Sequence, residues 1–118
     1  FNKKINFGLG LFDNNVILAF IVGNLLAIEK NTEYEILILY VSSQSRKLGY
    51  ASILLNNIPL YLKNKKLKKI YLEVAKDNIA AINLYEKNNY IKTGIRKKYY
   101  NIKNRKIDAY FFEKEINE

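Results

Sequence analysis

The chain has 118 residues and a formal net charge of +9, with 49% hydrophobic and 26% charged residues. This length suits one folded domain with a single core. The sequence has no cysteine and no histidine, which excludes disulfides, cysteine nucleophiles, zinc sites of the usual kind and Ser-His-Asp hydrolysis. A general base at neutral pH must therefore be a carboxylate, a lysine, a tyrosine or a backbone amine.

The first part of the chain predicts three antiparallel strands. Strands over Phe7–Phe12 and Val16–Ile28 flank an Asp-Asn-Asn turn, and Gly23 predicts a bulge in the second strand. A turn over Lys30–Thr32 leads into a third strand, Tyr34–Val41. The uninterrupted apolar run of this third strand predicts that it is central and buried on both faces.

The pattern then changes to the period of a helix. Apolar residues at positions 51, 54, 55, 58 and 62 share one helical face, and Pro59 inside this helix predicts a bent axis. The basic stretch over 63–69 indicates a solvated helix end and the following loop. A strand over Ile70–Ala75 comes next.

A second helix and two closing strands complete the predicted elements. The helix is capped by Asp77 or Asn78 and ends near Asn88-Asn89, where asparagine suits a left-handed residue. This order of elements indicates a mixed α/β (α+β) domain. The remaining prediction is a pair of strands joined by a basic loop: Ile91–Arg96, the loop over 97–106, and Ile107–Glu113.

No part of the sequence indicates a membrane segment or a signal peptide. The most apolar run, Val16–Ile28, is too short for a spanning helix, which needs about 20 residues. The start of the chain is polar and lacks a cleavage pattern. We therefore expect a cytoplasmic protein without a membrane partner.

The loop between the third strand and the first helix has the composition of an anion-binding loop. Gly49 permits a tight turn, and the helix behind it presents backbone N–H groups. Arg46 and Lys47 add positive charge. The loop matches neither the Walker A pattern nor the G-x-G-x-x-G fingerprint, and an ordinary strand-to-helix turn would have the same composition.

Three blocks of the sequence resemble the GNAT acetyltransferases. Arg46–Ala51 fits the acyl-CoA loop [R/Q]-x-x-G-x-[G/A]. Leu72–Val74 followed by Asn78–Tyr90 is similar to the family's L-E-V…N-x-x-A-x-x-L-Y-E-K-x-G-F. Gly94–Tyr100 followed by Asp108-Ala109 resembles one branch, the bacterial ribosomal-protein-alanine N-acetyltransferases.

This resemblance implies the GNAT fold, a central mixed and mostly antiparallel sheet flanked by helices. The family's usual N-terminal strand and helices have no counterpart in the sequence, so we expect one N-terminally truncated GNAT domain over residues 1–118. Asn89 replaces the family's usual glycine, and asparagine is the next-best residue for a left-handed conformation.

The resemblance also implies a metal-free, direct transfer of acetyl from acetyl-CoA to an amine. Glu73 stands where the family has its general base, although an exposed strand glutamate is its ordinary structural interpretation. Tyr85 stands where the family's tyrosine protonates the CoA thiolate, although a half-buried helix aromatic would look the same. Val41 is the implied N–H donor to the thioester oxygen. The implied cofactor-binding residues are Leu39, Tyr40, Val41, Arg46, Lys47, Leu48, Gly49, Tyr50, Ala51, Ser52 and Asn78.

Tyr99 and Tyr100 resemble residues that border the peptide groove of this branch, although paired tyrosines also pack on sheets. They imply an N-terminal α-amine as the acceptor, with a ribosomal protein as the expected partner and no specific nucleic acid. One alternative is a GNAT enzyme acting on a lysine, a polyamine or an aminoacyl-tRNA. Another is a non-catalytic module that binds RNA or the ribosome through the lysines at 63, 65, 66, 68 and 69.

Overall fold

The computed structural model describes residues 4–117, and its contacts divide the chain into two compact units. One unit runs up to Ile70 and includes the residues from Glu115 onward, while the other is Tyr71–Lys114. No helix among the described residues is long and apolar enough to cross a membrane. The strands and helices are β1 (Lys4–Asp13), β2 (Val16–Ile28), β3 (Asn31–Val41), α1 (Tyr50–Tyr61), β4 (Leu67–Ala75), α2 (Ile79–Lys87), β5 (Ile91–Ile102) and β6 (Arg105–Glu115).

The first unit is built on an antiparallel meander of β1, β2 and β3. In the order of the sheet, β3 is followed by β4, whose first residues belong to this unit. At the start of β3, the N–H of Thr32 donates to the carbonyl of Lys66 at 3.0 Å. The beginnings of β3 and β4 are therefore neighbours, which gives the mixed sheet that was predicted.

Gly23 and Tyr34 form the tightest contact of the meander. The pairing of β2 with β3 shifts between Val22 and Gly23, at the predicted position, but the extra residue is Leu37, so the bulge belongs to β3 and not to the second strand as predicted. A Cβ on Gly23 would lie 2.6 Å from Cζ of Tyr34 and would collide with the carbonyl oxygen of Glu35. The fully buried Tyr34 donates its hydroxyl to the carbonyl of Phe7 at 2.8 Å, and burial raises its pKa. The glycine thus makes room for a tyrosine that ties β3 to β1.

Helix α1 packs the predicted apolar face into the core. Leu54, Leu55 and Ile58 are buried, and Pro59 lies in the last part of the helix. The lysines that follow the helix at positions 63, 65 and 66 are exposed, as predicted. Strand β4 begins at Leu67 rather than at the predicted position 70, because Leu67 is buried while Lys68 faces solvent in the alternation of a strand.

The second unit holds the strand order β4-β6-β5 together with α2. The side-chain oxygen of Asn78 accepts the N–H of Ala81 at 3.3 Å, which confirms the predicted cap of α2. Asn89 has a φ of 71°, the predicted left-handed conformation after the helix. The predicted helix cap and the predicted left-handed residue, which both rest on residue type, are therefore confirmed.

The predicted basic loop over 97–106 is wrong. Strands β5 and β6 continue through it to a tight turn at Lys103-Asn104, where both residues have positive φ. The pairing of the two strands shifts at two places, between Lys92 and Gly94 and, by a larger bulge, between Arg96 and Tyr100. Both faces of this hairpin end carry polar residues, so the sequence lacks the alternation that would indicate a strand.

Two predictions about β3 are also corrected. The turn before it lies at Glu29-Lys30, where Glu29 takes a φ of 55°, and the strand already begins at Asn31. The second half of the strand is not buried on both faces, since the successive residues Leu37 and Ile38 are each 53% exposed. The pairing with β2 skips Leu37, so the regular alternation of the strand is interrupted there and two successive apolar residues are exposed.

We predict that Gly23→Ala lowers the free energy of unfolding by about 2 kcal/mol or more, because the added methyl group meets backbone and a fully buried ring. Urea denaturation followed by circular dichroism measures this change. Gly10→Ala is the matched control, because its added methyl group meets only the exposed ring of Phe12, which can rotate away. Equal losses for both variants would contradict the role assigned to Gly23.

Candidate active site

The connection between β3 and α1 is held at its base by serine hydrogen bonds. The N–H of Ser42 donates to the carbonyl of Leu18 at 2.9 Å, and its hydroxyl donates to the hydroxyl of Ser45 at 2.8 Å. Ser45 is buried, whereas the loop residues that follow it up to Gly49 are exposed. The serine hydrogen bonds therefore anchor the beginning of a loop whose remaining residues are exposed.

Gly49 begins α1 in the left-handed conformation, with a φ of 81°. A Cβ on this residue would meet nothing within 4 Å, so the space in front of the helix is open. No described side chain caps this helix end, and its first turn contains no acidic residue. The first N–H groups of a helix lack intrahelical acceptors and carry partial positive charge. The start of α1 is therefore suited to a phosphate group.

The other predicted loop residues surround this helix end. Lys47 has a φ of 65°, and the side chain of Leu48 is 59% exposed. The Nε of Arg46 donates to the carbonyl of Val41 at 3.4 Å, which links the loop to the end of β3. Tyr50, Ala51 and Ser52 form the first turn of α1 and are partly exposed.

The end of β3 offers an apolar surface close in sequence to this loop. Tyr40 is 41% exposed and stacks on Phe20, with 5.2 Å between the ring centroids. Leu39 and Val41 are partly exposed. Together with the exposed Leu37 and Ile38, they suit the pantetheine arm of a CoA thioester. The residues of the first unit thus fit both the phosphate and the apolar portion of this ligand.

Glu73 lies in the second unit, on β4, and forms an ion pair with Arg96 of β5. The distance from Nη2 of Arg96 to Oε1 of Glu73 is 3.2 Å. The second carboxylate oxygen, Oε2, is buried and has no hydrogen-bond partner among the described residues. The carboxylate is therefore held through one oxygen, while the other has its hydrogen-bonding capacity unused by the described residues.

Arg96 is itself supported by aromatic rings. Its guanidinium carbon lies 4.5 Å from the ring centroid of Tyr99 and 5.5 Å from that of Phe111. The Phe111 ring lies over Gly94, where a Cβ would come within 3.1 Å of it. These cation–π contacts fix a long side chain that would otherwise sample several rotamers. Arg96 can consequently orient the Glu73 carboxylate.

Asp108 organises the bulge that carries the predicted tyrosine pair. Arg96 of β5 pairs with Ala109 of β6, and Tyr100 pairs with Ile107. The three residues 97–99 of β5 therefore lie opposite the single residue Asp108. The Oδ1 of Asp108 accepts the N–H of Lys98 at 2.8 Å, and its Oδ2 lies 3.8 Å from Nζ of Lys97. The backbone hydrogen bond, aided by nearby lysines, holds the pKa of Asp108 below its usual value. The resemblance included Asp108 in a block but assigned it no role.

Tyr99 and Tyr100 leave this bulge in contact with each other. Their ring centroids are 5.1 Å apart in an edge-to-face arrangement, and Tyr99 is 51% exposed. Burial raises the pKa of Tyr100, and the negative charge of Glu73 raises it further. The structure therefore brings both predicted substrate-binding tyrosines together with Glu73.

Tyr85 and Asn78 belong to α2 in the same unit. Tyr85 is 6% exposed and packs against the rings of Tyr90 and Phe112, at centroid distances of 5.5 and 6.4 Å. Burial raises the pKa of Tyr85 to about 12. Its hydroxyl is therefore protonated at neutral pH, as a proton donor must be. Asn78 already serves as the helix cap, and its role in cofactor binding stays a prediction.

Within the first unit, the loop and the uncovered strand end suit a ligand with a phosphate group and an extended arm, and within the second unit a carboxylate is flanked by tyrosines. The sequence profile of the acetyltransferase (GNAT) family matches residues 2–90. The chain therefore belongs to the GNAT acetyltransferase family. A search of curated proteins finds no match.

Solved structures of several acetyltransferases share this fold. The ribosomal-protein-S18-alanine N-acetyltransferase from Escherichia coli aligns with a TM-score of 0.82 and 24% identity, covering 96% of this chain and 70% of that protein. Arabidopsis thaliana NAA60 in complex with acetyl-CoA aligns with a TM-score of 0.75 and 24% identity, covering 87% and 68%. Arabidopsis thaliana Naa50 in complex with the bisubstrate analogue CoA-Ac-MVNAL aligns with a TM-score of 0.75 and 29% identity, covering 87% and 68%.

These comparisons confirm the predicted family, the mixed-sheet GNAT fold, the N-acetyltransferase class and acetyl-CoA as the family's cosubstrate. The chain spans about two thirds of the length of the proteins that it matches. The acceptor, the roles of individual residues and the compartment stay predictions.

We predict that Gly49→Ala weakens acetyl-CoA binding at least about tenfold, because the methyl group enters the space before the helix and the left-handed φ disfavours alanine. Isothermal titration calorimetry measures the dissociation constant. Gly10→Ala, a glycine substitution outside the loop, should leave it unchanged. Binding of wild-type strength by the Gly49 variant would place the phosphate groups elsewhere.

Proposed function

We propose that this protein transfers the acetyl group of acetyl-CoA directly to the N-terminal α-amine of a protein. The observation that carries this proposal is the carboxylate of Glu73. One of its oxygens is held by Arg96, and the other is buried without a partner among the described residues, in a cluster with two tyrosines. A held carboxylate with one available oxygen has the geometry of a general base.

The first step is removal of a proton from the acceptor. An α-ammonium group has a pKa of about 7.7–8.0, so most of it is protonated at neutral pH and cannot attack. Oε2 of Glu73 takes this proton directly or through one water molecule. Arg96 keeps the carboxylate oriented while the charge on it changes. The amine nitrogen is then free to attack.

The second step forms the amide bond. Acetyl-CoA supplies the acetyl group as a thioester and needs no covalent enzyme intermediate. The amine attacks the carbonyl carbon, the C–N bond forms, the C–S bond breaks, and CoA leaves as a thiolate. We assign the N–H of Val41 to the developing negative charge on the carbonyl oxygen. The N–H groups at the start of α1 would hold the phosphate groups.

Tyr85 is the proposed donor of a proton to the departing thiolate. Because burial raises the pKa of Tyr85 to about 12 and a thiol has a pKa of about 8.5, complete transfer from the phenol to the thiolate is uphill. The hydroxyl therefore acts mainly by donating a hydrogen bond to the sulfur. It should assist the reaction without being indispensable.

Two similar proteins support a protein N-terminus as the acceptor. The Escherichia coli protein is an alanine N-acetyltransferase for ribosomal protein S18, and Naa50 was solved with an analogue that joins CoA to an acetylated peptide. The paired Tyr99 and Tyr100 offer an exposed ring and a partly buried one beside the proposed base. A ribosomal protein is accordingly the first acceptor to test, with the cytoplasm as the expected compartment.

The alternatives differ in the amine or in the absence of catalysis. A lysine side chain, a polyamine or an aminoacyl-tRNA could receive acetyl by the same two steps. The lysines at positions 63, 65, 66, 68 and 69, of which only Lys69 is partly buried, would suit a non-catalytic module that binds RNA or the ribosome. The orientation of Glu73 by Arg96 favours the catalytic hypothesis. A module that only binds RNA does not require a carboxylate with one oxygen bonded and the other without a partner among the described residues.

We predict that the wild-type protein, mixed with acetyl-CoA and short peptides, acetylates the α-amine, and that Glu73→Gln lowers kcat/KM by about 10²–10³-fold. Mass spectrometry locates the added group, and polyamines and peptides with a blocked N-terminus test the other amines. Glu33→Gln is the matched control, because Glu33 is also a strand glutamate in an ion pair, at 3.7 Å from Lys69, and belongs to the other unit. Full activity of the Glu73 variant would remove it as the base.

We predict a smaller effect for Tyr85→Phe, a loss of roughly 10- to 100-fold in kcat, because a thiolate leaves tolerably without assistance. The hydroxyl remains protonated below its pKa of about 12. The pH profiles of the variant and the wild type should therefore run parallel between about pH 6 and pH 10. A fall in kcat with rising pH in this range that the wild type shows and the variant does not would contradict this assignment.

A further inference from the structure

The end of the β5–β6 hairpin is densely cationic. Between Arg96 and Ile107 the chain contains no acidic residue. All of the basic residues in this segment are exposed. We call this set the cationic hairpin, and its members are Arg96, Lys97, Lys98, Lys103, Arg105 and Lys106.

The acidic residues around the cationic hairpin are already engaged. Glu73 pairs with Arg96 at 3.2 Å, Asp108 lies 3.8 Å from Lys97, and Asp77 lies 3.9 Å from Arg105. Within residues 4–117, the side chains of Lys98, Lys103 and Lys106 have no ion-pair partner. Half of the cations of the cationic hairpin are thus without a paired carboxylate among the described residues.

The cationic hairpin also lies next to the proposed acceptor site. Tyr100 faces Ile107 across the hairpin, and the next pair along the strands is Asn101 with Lys106. One strand residue advances about 3.3 Å, so Arg105, on the same face of the hairpin as Tyr100, lies about 7 Å from it along the strand direction, while Lys106 lies about 3 Å along on the opposite face. We therefore expect an acceptor whose α-amine is at Glu73 to approach the end of the cationic hairpin with its third to fifth residues.

We propose that this protein selects acceptor N-termini that carry aspartate or glutamate within the first few residues after the acetylated one. The inference rests on the proposed N-terminal acetylation and narrows its substrate class. Carboxylates of the acceptor are attracted to the unpaired lysines, whereas a basic N-terminal segment is repelled. The selection acts on peptide binding rather than on the chemical step, because the cations lie beyond the reacting atoms.

The test is a set of peptides that share the same first two residues and differ only at positions three to five, where they are acidic, neutral or basic. We expect kcat/KM for the acidic peptide to exceed that for the basic one at least about tenfold at low salt, which corresponds to about 1.4 kcal/mol. The difference should lie in KM and shrink about threefold or more in 0.5 M salt, because exposed charges are screened.

Two charge-reversal variants separate the cationic hairpin from the overall charge. Lys103→Glu with Lys106→Glu should remove the preference for acidic peptides. Lys63→Glu with Lys65→Glu changes the net charge equally in the other unit and should leave the ranking of peptides intact. If thermal melts show that Lys103→Glu with Lys106→Glu disturbs folding, Lys103→Gln with Lys106→Gln is used in its place.

The outcomes distinguish this inference from the proposed function. Equal acetylation of all peptides, or a preference that both double variants alter alike, would overturn the charge selection and leave N-terminal acetylation standing. No acetylation of any peptide by a protein that binds acetyl-CoA would overturn both. Tight binding of a short single-stranded RNA that depends on Lys103 and Lys106, without a preference among peptides, would assign the cationic hairpin to nucleic acid instead.

Discussion

The hydrogen bond from the N–H of Lys98 to the carboxylate of Asp108 is the constraint on which the arrangement of the second unit depends. A bulge leaves backbone groups without a partner in the opposite strand, and Asp108 supplies the acceptor for one of them. At this bond, three residues of β5 oppose the single residue Asp108, Tyr99 is exposed, and Arg96 stays in register with Ala109 of β6. The position of the Glu73 carboxylate follows from that of Arg96.

Aromatic packing supplies the rigidity that a catalytic carboxylate requires. Tyr99 and Phe111 flank the guanidinium of Arg96, so an exposed ion pair becomes a supported one. Exposed ion pairs between flexible side chains contribute little, because ordering two long side chains opposes the attraction. In the first unit, a buried tyrosine plays a comparable structural role, since Tyr34 fills the space over Gly23 and joins two strands.

The elements with a strong local signal could be predicted from the sequence. The strand Val16–Ile28 has the predicted bounds, Asn78 caps its helix, and Asn89 takes the left-handed conformation. These features depend on residue type and near neighbours. The ends of β5 and β6 could not be predicted, because their polar residues lack alternation and their pairing is with each other across the hairpin. The exposure of Leu37 and Ile38 could not be predicted either, since apolar character alone predicts burial.

The sequence by itself determined the family, through three short blocks whose residue types and spacing resemble those of GNAT acetyltransferases, and it excluded thiol, imidazole and zinc chemistry by composition. Only the tertiary structure decided how the candidate residues are held. Residues 23 positions apart in the chain, Glu73 and Arg96, meet as an ion pair, and Asp108 accepts the backbone N–H of Lys98, ten residues away. Such contacts depend on strand register, which is determined by the pairing of whole strands rather than by any local pattern.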